Sequence, residues 1–295
     1  MFLFVSCEEE ETIIKITNNE QITDFEGTGF FKFNNYAPFS NKIINVYFHI
    51  PKNSNKDSEI VFVFHGNGRN AKDYRDAIID KANKYGFIVI APEFSDTNFK
   101  SGDSYNLGNI FVDGDNPTLT SLNPESIWTF SVIEPIFNYF KTDLKNTSTN
   151  YNIIGHSAGS QFAHRYLLFK PNTNVNKVVL SAAGWYTIPD ISLKFPYGIK
   201  DSPFKNSMFS KFFSKNIIIQ IGELDNDNNA NSLRKNEVVN LQGANRFERA
   251  NYFFNQSKKI ATQENAPFNW QFFVNKGLDH SYKPAIEKAA DYLFK

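Results

Sequence analysis

The chain has a single cysteine in its 295 residues, no net charge and no long apolar run. Cys7, standing alone, rules out an intrachain disulfide and any cysteine-cluster metal site. The 31 acidic residues cancel the 31 basic ones, so no overall field draws in a phosphate backbone, and nucleic acid is not an expected partner. No stretch approaches the roughly 18 consecutive apolar residues of a membrane-spanning helix. H-E-x-x-H and paired histidine and carboxylate spacings are missing, which argues against a catalytic metal. Methionine is scarce, at two residues, whereas phenylalanine supplies 31 and tyrosine 13, so the core is expected to be built largely from rings.

The start of the chain is distinctive. Met1-Phe2-Leu3-Phe4-Val5-Ser6 is apolar with a small last residue, Cys7 follows, and Glu8 to Glu11 are all acidic. This resembles the tail of a bacterial lipoprotein signal, without the basic start and full apolar length such signals show. The resemblance implies that residues 1–7 are a partial lipoprotein signal ending at the lipidation cysteine: the first six residues are removed and Cys7 becomes the lipidated N-terminus, with that lipid anchor as the only membrane attachment. The glutamate run is similar to the acidic tag of cell-surface lipoproteins in some Gram-negative bacteria, which implies an extracytoplasmic location. Residues 8–25, polar and poor in groups to bury, read as a tether, and residues 26–295 as one folded unit.

Alternating apolar runs at 29–33 and 43–50 suggest a pair of edge strands. From there the pattern changes to continuous apolar runs separated by helical stretches: strand 60–64, helix 71–85 ending at Gly86, strand 87–91, a long irregular stretch 92–123, and a helix to about Lys141 that Pro135 should kink. Strand 151–154, helix 158–169, strands 178–182 and 217–221, helix 246–262, strand 270–274 and helix 284–294 complete the chain. Strands apolar on both faces and alternating with helices predict an α/β fold with a mostly parallel central sheet covered on both sides.

Gly155-His156-Ser157-Ala158-Gly159 lies between an apolar strand and a helix. The pattern G-x-S-x-G by itself arises by chance roughly once in ten chains of this length. In this strand-turn-helix setting it is the nucleophile elbow, where small flanking residues permit the strained turn that lifts a serine hydroxyl above the sheet. A hydroxyl needs a base, and the base needs a carboxylate to fix its tautomer. His280, in Gly277-Leu278-Asp279-His280-Ser281 after the last strand, is the histidine downstream of Ser157 that sits on a loop; His49, His156 and His164 suit packing or surface roles. The acid belongs after strand 217–221, where Asp225 is the first choice and Glu223 and Asp227 are in reserve. The oxyanion donors are expected to be the N–H groups of Ala158 and of Asn67, the latter in His65-Gly66-Asn67-Gly68. The same Gly-x-Gly lacks the further residues of a phosphate loop. Trp185 and Tyr186, just past a strand end, are candidate walls of a substrate pocket beside a lid-like segment around Phe195-Pro196-Tyr197-Gly198.

From about residue 41 onward, the motifs His65-Gly66-Asn67-Gly68, Gly155 to Gly159, Gly222 to Asp225 and Gly277 to His280 resemble those of the α/β-hydrolase superfamily. Within it the chain is similar to secreted bacterial esterases of the polyhydroxybutyrate-depolymerase and feruloyl-esterase type. The resemblance implies a cofactor-free serine esterase acting on polymer-linked or glycan-linked esters. A serine peptidase or acyltransferase on the same triad stays open, as does a surface lipoprotein that binds glycans without turnover.

Overall fold

The computed structural model describes residues 26–295, so Cys7 and the tether of residues 8–25 lie outside the described residues. Its centre is an eight-stranded sheet in the order β1-β2-β4-β3-β5-β6-β7-β8. Strands β1 (Gly27–Phe33) and β2 (Ile44–Ile50) run antiparallel to each other, and β2 runs antiparallel to β4 (Ile88–Glu93). The remaining neighbours, β3 (Ile60–Phe64), β5 (Tyr151–His156), β6 (Val175–Ser181), β7 (Asn216–Gly222) and β8 (Trp270–Asn275), pair in parallel with each other, and β3 also with β4. The expected pair of edge strands is therefore corrected: β1 is the edge, and β2 lies inside it, hydrogen-bonded on both sides.

Nine helices of the described residues surround the sheet: α1 (Ala71–Asp76), α2 (Ile79–Tyr85), α3 (Ser101–Ser104), α4 (Ile133–Asp143), α5 (Ala158–Phe169), α6 (Phe209–Phe213), α7 (Glu237–Asn240), α8 (Arg246–Gln263) and α9 (Tyr282–Phe294). Successive residues of a strand point to opposite faces. Val61 and Val63 of β3 accordingly pack with α1, α2 and α9, whereas Phe62 and Phe64 pack with α4, α5 and α8. All five β3 side chains are fully buried, and each contributes about 1.5–3 kcal/mol relative to exposure.

Two helices depart from the sequence reading. The single helix expected over 71–85 is broken at Ala77 and Ile78, where the Ile78 N–H turns to the Arg75 carbonyl at 3.3 Å. Arg75 is the cause: its buried guanidinium donates to the carbonyls of Gly29 and Phe48 and holds α1 against the first two strands, while α2 turns to seat Ala82 in the core. Pro135 does not kink a helix. The segment before it forms two short 3₁₀ turns, Glu125–Ile127 and Thr129–Val132, and α4 begins at Ile133, so Pro135 sits in a first turn whose N–H groups have no intrahelical partner.

The C-terminal ends of β3, β5, β6, β7 and β8 open onto one edge of the sheet, where parallel α/β sheets bind their ligands. The long segments after β4, β6 and β7 cover this edge.

Candidate active site

Ser157 stands between β5 and α5 with φ 55° and ψ −117°, a left-handed conformation that a residue with a side chain adopts only under restraint. Two glycines permit it. A Cβ on Gly155 would lie 2.5 Å from the Gly159 carbonyl oxygen, and a Cβ on Gly159 would lie 2.0 Å from that of Phe64. Backbone bonds hold the turn: the Ser157 N–H donates to the Ser181 carbonyl at 2.9 Å, and the Gln161 N–H donates to that of Ser157 at 3.1 Å. The result is a half-buried hydroxyl at the top of the sheet.

His280 reaches this hydroxyl from the loop between β8 and α9. Its Nε2 is 3.2 Å from Ser157 Oγ and its Nδ1 is 2.6 Å from Asp225 Oδ2. With the carboxylate ionised, Nδ1–H donates to Asp225 and leaves the Nε2 lone pair to accept the serine proton. Asp225 is only 4% exposed, and its second oxygen faces Arg246 Nη1 at 3.5 Å. The structure thus brings Ser157, His280 and Asp225 into one hydrogen-bonded line. The reserve carboxylates are used elsewhere: Glu223 accepts the Gly277 N–H at 3.0 Å and braces the histidine loop, and exposed Asp227 accepts the Asn229 N–H at 2.8 Å. The acid loop and the histidine loop are also stitched by the Leu224 N–H to the Leu278 carbonyl, 2.8 Å.

The loop after β3 is brought up to the serine. A Cβ on Gly66 would stand 3.7 Å from Ser157 Cβ and 2.7 Å from the Tyr74 hydroxyl. Asn67 follows on the exposed part of this loop, and Ala158 opens α5, where a first-turn N–H has no acceptor within the helix. His65 anchors the loop from beneath: Nδ1–H donates to the Gly66 carbonyl at 2.9 Å and Nε2 accepts the Phe94 N–H at 3.1 Å, which fixes the neutral tautomer. Burial drives its pKa down to about 3.

Sequence reasoning missed the layer behind these groups. Tyr74, on α1, bonds His156 Nδ1 at 3.0 Å, and the His156 ring lies 4.9 Å from that of His280. Burial and the neighbouring His280 push the pKa of His156 far down, so it stands neutral behind the catalytic edge. No spacing rule marks Tyr74, the one ring of a short helix that is otherwise mostly polar.

Trp185 and Tyr186 both come out differently from the sequence expectation. Tyr186 is fully buried and stacks on Phe253 at 4.3 Å, with its backbone held by Gln242. It belongs to the core. Trp185 is 4% exposed, covered by guanidinium groups: Arg165 lies 4.2 Å and Arg234 4.9 Å from its ring centroid. A residue's place after a strand foretells its nearness to the site but not the direction of its side chain.

No protein-family model and no curated protein matches the chain. Solved structures do. The fold is similar to that of poly(aspartic acid) hydrolase-1 from Sphingomonas sp. KT-1, with a TM-score of 0.86 and 33% identity over 92% of this chain and 99% of that one. It is similar to the same degree, TM-score 0.86, to a poly(3-hydroxybutyrate) depolymerase from Bordetella parapertussis, with 25% identity over 95% and 94% of the two chains. An S-formylglutathione hydrolase from Agrobacterium tumefaciens shares the fold, with a TM-score of 0.55 and 16% identity over 93% of this chain and 96% of that one.

Proposed function

The chain belongs to the α/β-hydrolase family of serine hydrolases that includes poly(aspartic acid) hydrolase-1, and we propose that it cleaves the backbone linkages of a polymer by a Ser157-His280-Asp225 triad. It is an enzyme of the carboxylic ester hydrolase class. The observation that carries the triad is the continuous line from Asp225 through His280 to an elbow serine, at 2.6 and 3.2 Å. His280 removes the Ser157 proton as Oγ attacks the carbonyl, and Asp225 stabilises the imidazolium that forms. The Asn67 and Ala158 N–H groups receive the oxyanion, each worth about 10²- to 10³-fold in rate. His280 then protonates the leaving group, and water resolves the acyl-enzyme by the same route in reverse.

A polymer substrate is supported by two similar structures, each at a TM-score of 0.86, which are named for polymers they degrade. The bond in poly(aspartic acid) is an amide and that in poly(3-hydroxybutyrate) an ester, so amide cleavage is the second reading. A panel of matched ester and amide substrates separates the two. The same proposal places the enzyme outside the cytoplasm on a lipid at Cys7, which the small residue before Cys7 and the acidic run after it support. Loss of membrane association in Cys7→Ser tests that part.

The test of the mechanism is fluorophosphonate labelling read by intact mass. One adduct on the wild-type protein, absent from Ser157→Ala, together with a fall of about four to six orders of magnitude in kcat, is expected. A folded protein that takes no label would overturn the triad.

A further inference from the structure

Asp225 is 4% exposed, and a carboxylate so placed has lost the water that would steady its charge. It has two ways to recover. It can take a proton itself, which turns the acceptor of His280 Nδ1–H into a donor, or it can draw a proton onto His280, which then has no lone pair at Nε2 for the serine hydroxyl. Either way the base is lost. A cation on the far side of the carboxylate suppresses both, and Arg246 stands there: its Nη1 is 3.5 Å from Asp225 Oδ1, while Oδ2 is held by His280 at 2.6 Å. Among the described residues it is the one arginine or lysine paired with Asp225.

The manner in which Arg246 is held separates it from an arginine that merely ties the chain together. Arg249, one turn further along α8, donates Nε to the Gly243 carbonyl at 2.9 Å, Nη1 to that of Gly184 at 2.7 Å and Nη2 to that of Arg234 at 2.9 Å. Arg246 is also buried, yet its Nε makes no hydrogen bond and its Nη2 meets the Asn231 carbonyl only at 3.4 Å. Backbone contacts fix its place instead. Asn245 caps α8 by accepting the Glu248 N–H at 2.9 Å, and the Phe247 N–H donates to the Asp225 carbonyl at 3.0 Å, so the start of the helix is docked on the acid loop with Arg246 as its first residue. Contacts of 3.4 and 3.5 Å are weak as hydrogen bonds, but the attraction between whole charges falls off only slowly over such distances.

We propose that Arg246 is a positioning residue of the triad: by balancing the Asp225 charge it keeps the His280 ring neutral and its Nε2 open to the Ser157 proton. This rests on the reading of Ser157, His280 and Asp225 as the triad. The charge of Arg246 is felt along the histidine edge, where burial, His280 and Arg246 together hold His156 neutral. No other group around His280 takes its place. His156, 4.9 Å away ring to ring, is uncharged and bonded to Tyr74. Glu223 is spent on the Gly277 N–H, and Asp279, on the histidine's own loop, is exposed and accepts the Ser281 N–H at 2.8 Å. Arg249, the other cation on this face of α8, is turned to its three carbonyls.

The test is kcat/KM for the neutral p-nitrophenyl butyrate followed from pH 5.5 to 9, with folding checked by circular dichroism at each pH, since the acid limb of this profile reports the essential base of the free enzyme. Arg246→Gln removes the charge and should move the midpoint of the acid limb up by about one pH unit, the effect of a unit charge at roughly 7 Å across an effective dielectric of about 20, reduced by solvent at half-exposed His280. At pH values below both midpoints kcat/KM then falls about tenfold, and on the alkaline plateau it recovers to within about threefold of the wild type. Arg246→Lys restores the charge and should bring the midpoint back toward that of the wild type. A purely structural role would instead lower the rate at every pH, plateau included. An unmoved midpoint in folded Arg246→Gln overturns the proposal. Where Arg246→Gln does not fold, Arg246→Lys decides: a midpoint and plateau close to the wild type support a role for the charge, and a plateau lower by about tenfold or more shows that the shape of the guanidinium is what matters and overturns it. Fluorophosphonate labelling of Ser157 keeps this question apart from the triad itself. Labelling rates that follow the shifted limb support the role of Arg246, labelling with an unmoved limb overturns that role alone, and a wild-type protein that takes no label overturns the triad on which it rests.

Discussion

Tyr74 connects three loops that the chemistry requires to be in register. Its hydroxyl shares a hydrogen bond with His156 Nδ1 in the elbow, lies against Gly66 beside the serine, and its ring stacks on Tyr282 at 4.6 Å, two residues past His280. Tyr74→Phe keeps the stack and removes the hydroxyl, leaving a buried imidazole nitrogen without this partner at a cost of about 1–3 kcal/mol. A misplaced base slows the chemical step more than it weakens substrate binding. We therefore expect kcat on a neutral ester to fall about tenfold with KM little changed, measured by steady-state kinetics on folded protein; an unaltered kcat would reduce Tyr74 to packing. Tyr74 was invisible in the sequence because a single aromatic residue in a helix looks like core whatever its hydroxyl does. Ser157, His280 and Asp225 were legible for the opposite reason. Strained turns accept few residue types, and chain order on this fold narrows the base and the acid to two short loops.

At the level of elements, α5 matched its expected bounds because glycine, capping geometry and apolar pattern agree over 158–169. The helix over 71–85 was misread because its break comes from a long-range cause, Arg75 reaching the Gly29 and Phe48 carbonyls. Pro135 makes the same point in a testable way. A proline inside a helix costs about 3 kcal/mol, so replacing a kinking Pro135 with alanine would stabilise the protein by a comparable amount. In the first turn of α4 it disturbs no intrahelical bond, and its fixed φ restricts the unfolded chain. Pro135→Ala is thus expected to lower stability, by about 0.4–1 kcal/mol in urea unfolding. A gain of 2 kcal/mol or more, roughly what relief of an interior proline would bring, would show that the proline does strain the helix.

Over the whole molecule, the alternation of apolar strands and helices disclosed a parallel sheet with two covered faces, since that is the architecture that buries both sides of a strand. Strand order was not readable, and β2 proved internal because antiparallel pairing with β4 depends on contacts far apart in the chain. The same packing has a consequence for acid stability that no local pattern reveals. His65, His156 and His164 are all buried, each with its pKa driven below the ordinary 6.5 mainly by burial, to about 3 for His65. In the folded protein all three stay neutral as pH falls, whereas in the unfolded chain each takes up a proton below about pH 6.5. The unfolded state then binds more protons, so stability is full above pH 6.5 and is lost as pH drops toward the folded values. Each group contributes up to about 1.4 kcal/mol per pH unit, and the three together approach a slope of about 4 kcal/mol per unit near pH 5. Against a typical total of about 5–15 kcal/mol, that unfolds the protein well before most carboxylates are protonated. His164 bonds the Ser160 carbonyl through Nδ1–H and accepts the Thr187 N–H at Nε2, a pair of roles that a glutamine amide can fill. Urea unfolding from pH 7.5 to 5 should therefore give a slope about one third smaller in His164→Gln than in the wild type. Stability that stays flat across this range would mean that the three histidines take up their protons within the folded protein.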